Sequence, residues 1–308
     1  GIKGKDYVDI TGGIVNVTAA QDGIKSTNTD DESMGFTRLS AGSVTVSAGD
    51  DGLKAPRTLE ISGGTLNIEK SNEGQYVNVL DGEVTVNSTD DGINASLKDS
   101  SSDTSSDTTS GTAAAGQQTQ QNQNGQVRQA PAGGGAAPGG SQGSTGQNQN
   151  MPQPPTDGTM PGGGGGTFEV VDAAINISGG TVTVNGPTAG GNNALDSNGD
   201  LLLNGGTVTA GSTADMFEAP SSASTSGYLK ITDSSALTQG STVQVTDSSG
   251  TVVANYKITT SGVQLVLVSN KNIVKGQSYT VSVTSGDVDI DSTDVANGAT
   301  ELGSFTAA

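Results

Sequence analysis

Histidine, cysteine and tryptophan are all missing from this chain of 308 residues. Without histidine there is no Ser-His-Asp triad, no Cys-His dyad and no imidazole-ligated zinc. Without cysteine there are no disulfides, thiolate metal sites or thiol nucleophiles, although secreted proteins also do without them, so the redox compartment stays open. Aromatics are scarce, with 5 Tyr and 4 Phe, and a stacking platform for neutral sugars would have to be assembled from scattered rings. Positive charge is scarce too. Basic residues number 13 against 32 acidic ones, for a net charge of −19. That excess repels phosphate backbones and anionic bilayers and attracts metal cations, which argues against nucleic acid as a partner. No apolar run approaches the roughly 18 residues of a membrane span, so no membrane insertion is expected. No signal peptide is visible, and the start at a glycine instead of Met is compatible with a leader removed earlier.

The chain is instead rich in glycine, 47 residues in all, and in repetition. One unit recurs: a short β-branched strand, a Gly-Gly or near equivalent, a second strand, then an acidic residue, a glycine and an aliphatic. Its copies are VDITGGIVNVTAAQDGIKS (8–26), TRLSAGSVTVSAGDDGLKA (ending at Ala55), TLEISGGTLNIEKSNEGQY (ending at Tyr76) and VNVLDGEVTVNSTDDGINA (ending at Ala95). Two more divergent copies, AINISGGTVTVNGPTAGGNNALDS and DLLLNGGTVTAGSTADMFEA, follow a long break. The corner glycines Gly13, Gly42, Gly64 and Gly82 are spaced by 29, 22 and 18 residues, as expected of parallel β-helix coils of about 20 residues with variable loops. Alternation at Ile10, Val15 and Val17, and again at Val44 and Val46, marks half-buried strands, and the glycine pairs suit corners that need positive φ.

These signals predict an all-β chain built as a right-handed parallel β-helix, a solenoid. A series of antiparallel hairpins explains the alternation equally well, but gives no reason for Asp-Gly-Ile to recur in phase. Coils are expected over 1–96 and, continued, over 167–221. Between them, 97–166 is a Gly/Ser/Gln/Asn/Pro-rich stretch with nothing to pack, read as a long disordered insertion, or as a linker between two domains. Residues 222–308 lose the Gly-Gly pattern and read as a C-terminal β module or a cap.

Stacked coils place equivalent residues about 4.8 Å apart. Asp22, Asp51, Glu73 and Asp91 precede the matched glycines and are predicted to form one acidic row, with Asp50 and Asp90 beside it and Asp30, Asp31 and Glu32 in the loop of the first coil. Asp196 is the candidate from the later coils. Two carboxylates about 5 Å apart repel by roughly 1–3 kcal/mol, and a hard divalent ion with six to eight oxygen ligands removes that repulsion. Calcium therefore fits the row better than magnesium. The bland reading is that each Asp is a turn former in water. Lys25 and Lys54 follow Asp-Gly-Ile and Asp-Gly-Leu and are expected to pair with the row. Neighbouring carboxylates favour the charged lysine, the opposite of what a lyase base needs, so no catalysis is expected.

The repeated Gly-Gly-Thr-Val-x-Val followed by Asp-Asp-Gly-Ile/Leu resembles a family of secreted carbohydrate-binding-domain proteins. The resemblance rests on ISGGTLNIEKSNEG (61–74), VTVNSTDDGINA (84–95) and ALDSNGDLLLNGGTV (194–208), with STVQVTDSSGTVVANY and KGQSYTVSV near the C-terminus. Two positions depart from it. Asn193 stands where the pattern has Asp, and Gln75-Tyr76 follow Glu73-Gly74 where an aliphatic is usual. The resemblance implies a parallel β-helix similar in fold to polysaccharide lyases, outside the cell or at its surface, that binds calcium, cellulose and acidic sugars such as polygalacturonate. Calcium would bridge protein and uronate carboxylates, while neutral glycans would lie along the flat sheet on Asn, Thr and Ser, with Tyr7 or Tyr76 as stacking partners. A second reading concerns the chain's own ends. Gly1-Ile2-Lys3 repeats Gly23-Ile24-Lys25, so the chain opens in mid-coil, and an uncovered coil could pair head-to-tail with another copy in an extracellular filament or surface matrix.

Overall fold

The structure, a computed structural model, describes residues 1–96, 173–189, 191–233, 235, 237–286 and 288–308. The insertion expected over 97–166 lies outside the described residues, and so do the first residues of the continued coils. The described residues on both sides of that interval belong to one compact unit. They are all-β, with no helix among them and therefore none long and apolar enough to cross a membrane.

Before the interval lie β1 (Ile2–Gly4), β2 (Tyr7–Ala19), β3 (Ile24–Ser26), β4 (Phe36–Ala48), β5 (Leu53–Glu69), β6 (Asn72–Asn87) and β7 (Ile93–Ala95). After it come β8 (Ala174–Ile177), β9 (Thr181–Asn185), β10 (Leu195–Ser197), β11 (Asp200–Leu203) and β12 (Thr207–Ser212). The remainder holds β13 (Leu229–Thr232), β14 (Thr242–Thr246), β15 (Val252–Lys257), β16 (Leu265–Ser269), β17 (Ser278–Thr284) and β18 (Thr300–Thr306).

Pairings among β1 to β12 are parallel and form three ladders. The first runs β1, β3, β5, β6, β7, β10. The second takes the first halves of β2 and β4, then β5, β6, β8 and β11. The third takes the second halves of β2 and β4, then β5, β6, β9 and β12. Antiparallel hairpins are thereby ruled out for these segments, and the sequence signal that excluded them was the phase of the repeat.

Between the second and third ladders the chain turns at a column of glycines. Gly42, Gly64, Gly82 and Gly180 have φ of 97°, 82°, 95° and 71°, in the left-handed region that favours glycine. Space adds a second constraint, since a Cβ on Gly64 would lie 2.6 Å from the Gly42 carbonyl oxygen and one on Gly82 2.7 Å from that of Gly64. The turns stack too closely for any side chain.

The inward residues stack in columns: Leu39, Ile61, Val79, Ile177 and Leu203 in one, Val44, Leu66, Val84, Val182 and Val208 in another. All ten are buried, and each such side chain contributes about 1.5–3 kcal/mol of apolar burial. The first ladder's column reads Ile24, Leu53, Asn72, Ile93, Leu195. Asn72 is fully buried there, and neither of its side-chain polar atoms has a hydrogen-bond partner.

That column corrects the alignment of the third coil. Glu73 pairs with Lys54 on one side and Asn94 on the other, and Gly74 pairs with Ala55 and Ala95. Gly74 therefore fills the small inward position held elsewhere by alanine or serine, and is not the corner glycine of an Asp-Gly pair. Val77 and Val79 must meet Leu59 and Ile61 in the core, and this hydrophobic register carries Glu73 into the lysine row and leaves Lys70 beside the Asp positions.

After β12 the direction changes. β16 pairs antiparallel with both β12 and β13, turning Leu265 and Leu267 into the core of the coils and Val266 and Val268 into a second core. That second core lies under an antiparallel sheet in the order β15, β14, β17, β18. The Ser221 and Ser226 amides donate to the Leu201 and Leu203 carbonyls, so the chain itself covers the last parallel edge. Tyr256 ties the two parts together. Its hydroxyl donates to Asn185 Oδ1 at 2.9 Å, through space that a side chain at Gly211 would occupy.

Candidate functional site

On the first ladder, the outward residue of each coil stacks as Lys3, Lys25, Lys54, Glu73, Asn94, Asp196. Flanking this row are Asp22, Asp51 and Asp91, each followed by a glycine. The tight Asp-Gly turn sets each Asp three residues before the row, which is why Lys25 Nζ reaches Asp22 Oδ2 at 2.6 Å and Lys54 Nζ reaches Asp51 Oδ2 at 2.5 Å. The expected pairing of Lys25 and Lys54 with the acids is present. An ammonium so engaged has no lone pair with which to take a proton from substrate.

The expected single acidic row is broken. Lys70 interrupts it in the third coil, and two separate clusters result. In the first, Asp22, Asp50 and Asp51 each bring a carboxylate oxygen within 4.8 Å of the others. Asp51 also accepts from Ser71 Oγ at 2.5 Å, and Lys54 bridges to Glu73 at 3.0 Å. Burial alone pushes the Asp51 carboxyl up, but hydrogen bonding with Glu73, Lys54 and Ser71 outweighs it and holds the group below the usual carboxylate range. The Asp22 side chain is only 7% exposed, and its Oδ1 is buried without a partner.

The second cluster joins Asp91, Asp196 and Glu218. The Asn193 amide donates to Asp91 Oδ1 at 2.7 Å, Asn94 Nδ2 donates to Oδ2 at 3.3 Å, and the Ser197 amide donates to Glu218 Oε2 at 2.6 Å. Asp91 and Asp196 interact electrostatically with each other. Burial, with the charges of Asp196 and Asp90, pushes Asp91 up to about 6. Burial raises Asp196, and burial with the Asp196 charge pushes Glu218 up to about 7. Glu218 was not foreseen. It belongs to the most divergent coil, after the repeat has lost its Asp-Gly marker, and no spacing in the sequence ties it to Asp196.

Three predicted residues join neither group. Asp30 and Asp31 sit in the loop before β4, where Asn28 Oδ1 accepts their amides and Asp31 Oδ1 accepts both the amide and the hydroxyl of Ser33. They behave as turn formers, and the Ser33 bonds lower the Asp31 carboxyl. Asp90 is exposed, with its backbone bonded to Ser88 Oγ. The Tyr7 ring stacks on Phe36 at 5.0 Å between centroids, so one of its faces is already occupied.

Residues 1–97 match a family described as carbohydrate-binding domain-containing protein. The match covers the whole first cluster and Asp91 of the second, and stops short of Asp196 and Glu218. No curated protein and no solved structure matches the chain. The family match supports carbohydrate binding and suggests a binding role without catalysis.

Proposed function

We propose that this is an extracellular, calcium-dependent carbohydrate-binding protein for acidic polysaccharide or cellulose, and that its parallel ladders wind as a right-handed β-helix. The handedness rests on a general rule, since crossovers between parallel strands of one sheet are right-handed in about 98% of cases. The observation that carries the reading is the meeting of Asp22, Asp50 and Asp51 from two successive coils with oxygens within 4.8 Å.

The donor set fits a hard cation. It is all oxygen, and Asp22 Oδ1 is a buried acceptor with nothing to accept from. Asp22, Asp50 and Asp51 would hold the ion, and its remaining positions would go to water or to a uronate carboxylate. Bound calcium supplies the positive charge that lets a protein of net charge −19 hold a polyanion. Lys25 and Lys54 compete for the same carboxylates, so affinity belongs in the weak range of extracellular calcium modules, about 10⁻⁴–10⁻³ M. That range accords with a place outside the cell.

Retention on polygalacturonate and on cellulose, with calcium and with chelator, tests the reading. Retention on polygalacturonate is expected to need calcium and to fall at least tenfold in an Asp22→Asn/Asp50→Asn variant. Absence of retention on every acidic and neutral polysaccharide tried refutes it. New ultraviolet absorbance from an unsaturated uronate would instead mark the protein as a lyase.

A further inference from the structure

The third ladder, away from both acidic clusters, ends in a cleft of about 910 Å³ between its outer face and the C-terminal residues. Its size is that of a ligand pocket, commonly about 300–1,000 Å³. The floor is a small array of hydroxyls. Thr181 and Thr183 of β9 lie in register with Thr207 and Thr209 of β12, all facing outward because Val182, Val184, Val208 and Ala210 face the core. Thr183 and Thr209 are linked through their hydroxyls at 3.4 Å.

The C-terminal side is mixed. It presents the aliphatic Val253, Ala254 and Ile290, the last 50% exposed, among polar Asn255, Asn272 and Ser292. A cleft that combines hydroxyls and amides with a few aliphatic carbons suits a pyranose ring, which has hydroxyls around its edge and C–H groups on its faces. Charge narrows the class further. Glu83 and Asp291 line the cleft against a single basic residue, Lys271, so a polyanion would meet net repulsion there while an uncharged chain would not. The floor also continues. Thr209 and Thr183 are followed in register by Thr85, Asn67, Thr45 and Asn16, one outward polar side chain per rung of about 4.8 Å. An extended β-1,4-linked glycan advances by about one ring per rung.

We propose that this cleft seats a single uncharged polysaccharide chain, whose following rings run along the Thr/Asn row, and that it does so without calcium. The C-terminal residues then act as one wall of a binding site as well as covering the coils. The proposal rests on the carbohydrate-binding reading above but uses a different ladder and a different ligand class from the carboxylate site.

Native gel electrophoresis of the full chain through hydroxyethyl cellulose, an uncharged β-1,4-glucan, with chelator present, tests it. Wild type is expected to be retarded. Thr181→Tyr, which fills the cleft, and the Thr181→Ala/Asn272→Ala pair, which removes exposed polar groups, are each expected to weaken binding at least tenfold with an unchanged thermal midpoint. No retardation of wild type, or variants that bind as tightly as wild type, overturns the cleft assignment. If calcium-dependent retention on polygalacturonate persists in that case, the reading of the carboxylate site stands without the cleft. If neither polysaccharide binds, both fall.

Discussion

The two acidic clusters occupy the same side of the same ladder, yet they solve opposite problems. In the first, Lys25 and Lys54 stand in the outward row and pair with Asp22 and Asp51 at 2.6 and 2.5 Å, and the bonds to Asp51 hold it below the usual carboxylate range. In the second, the row positions hold Asn94 and Asp196, and burial with mutual repulsion pushes Asp91 and Glu218 up to about 6 and about 7. The same Asp-Gly turn therefore yields a lowered carboxyl at Asp51 and a raised one at Asp91. Burial pushes both up, and only at Asp51 do the bonds with Glu73, Lys54 and Ser71 outweigh it.

Lys54→Met breaks the contrast most sharply. The Lys54 side chain is 16% exposed and its partner Asp51 is 8% exposed, so removing the ammonium leaves nearly buried carboxylates facing one another. A loss of about 3 kcal/mol at neutral pH is expected by chemical denaturation, shrinking on acidification as the acids protonate. Millimolar calcium is expected to recover part of it; no recovery would mean that the first cluster does not accept a cation.

The coil that separates the clusters supplies the next test. Asn72→Leu replaces an unpartnered buried amide by the residue type its column otherwise holds, and a gain of about 2 kcal/mol is expected. A loss would mean that the amide has a partner and that the third coil is registered differently.

The smallest effect concerns pH. Glu218 has a folded value of about 7, above its ordinary 4.5. Its contribution to stability is therefore complete below about pH 4.5 and lost as pH rises through 7. Asp51, held below its ordinary 3.8, runs the other way, contributing above that pH and losing its contribution on acidification. Glu218→Gln is expected to add about 1 kcal/mol at pH 8, after discounting for solvent screening, and almost nothing at pH 4. Equal effects at both pH values would remove the link between that carboxyl and its surroundings.

Much of the ladder could be read in advance, because its determinants are local. Alternation at Val44 and Val46 needs only neighbouring residues, a positive-φ corner needs only Gly42 or Gly64, and the Asp22–Lys25 pair needs only a turn of known length. The third coil was misread for the converse reason. Glu73-Gly74 is locally as good an Asp-Gly turn as any, and only the demand that Val77 and Val79 meet Leu59 and Ile61 shows Gly74 to be an inward residue. Glu218 and the cleft were beyond reach because their partners lie in other coils and strands, brought close by packing between segments whose loops differ in length.

By itself the sequence determined strands, glycine corners and parallel pairing, since each follows from the chemistry of a few adjacent residues repeated in phase. Only the tertiary structure decided which carboxylates share a site, which asparagine is buried, and how β16 turns back against β12 to wall a cleft. Register between coils is set by how side chains fill a shared interior, and that is a property of the stack as a whole.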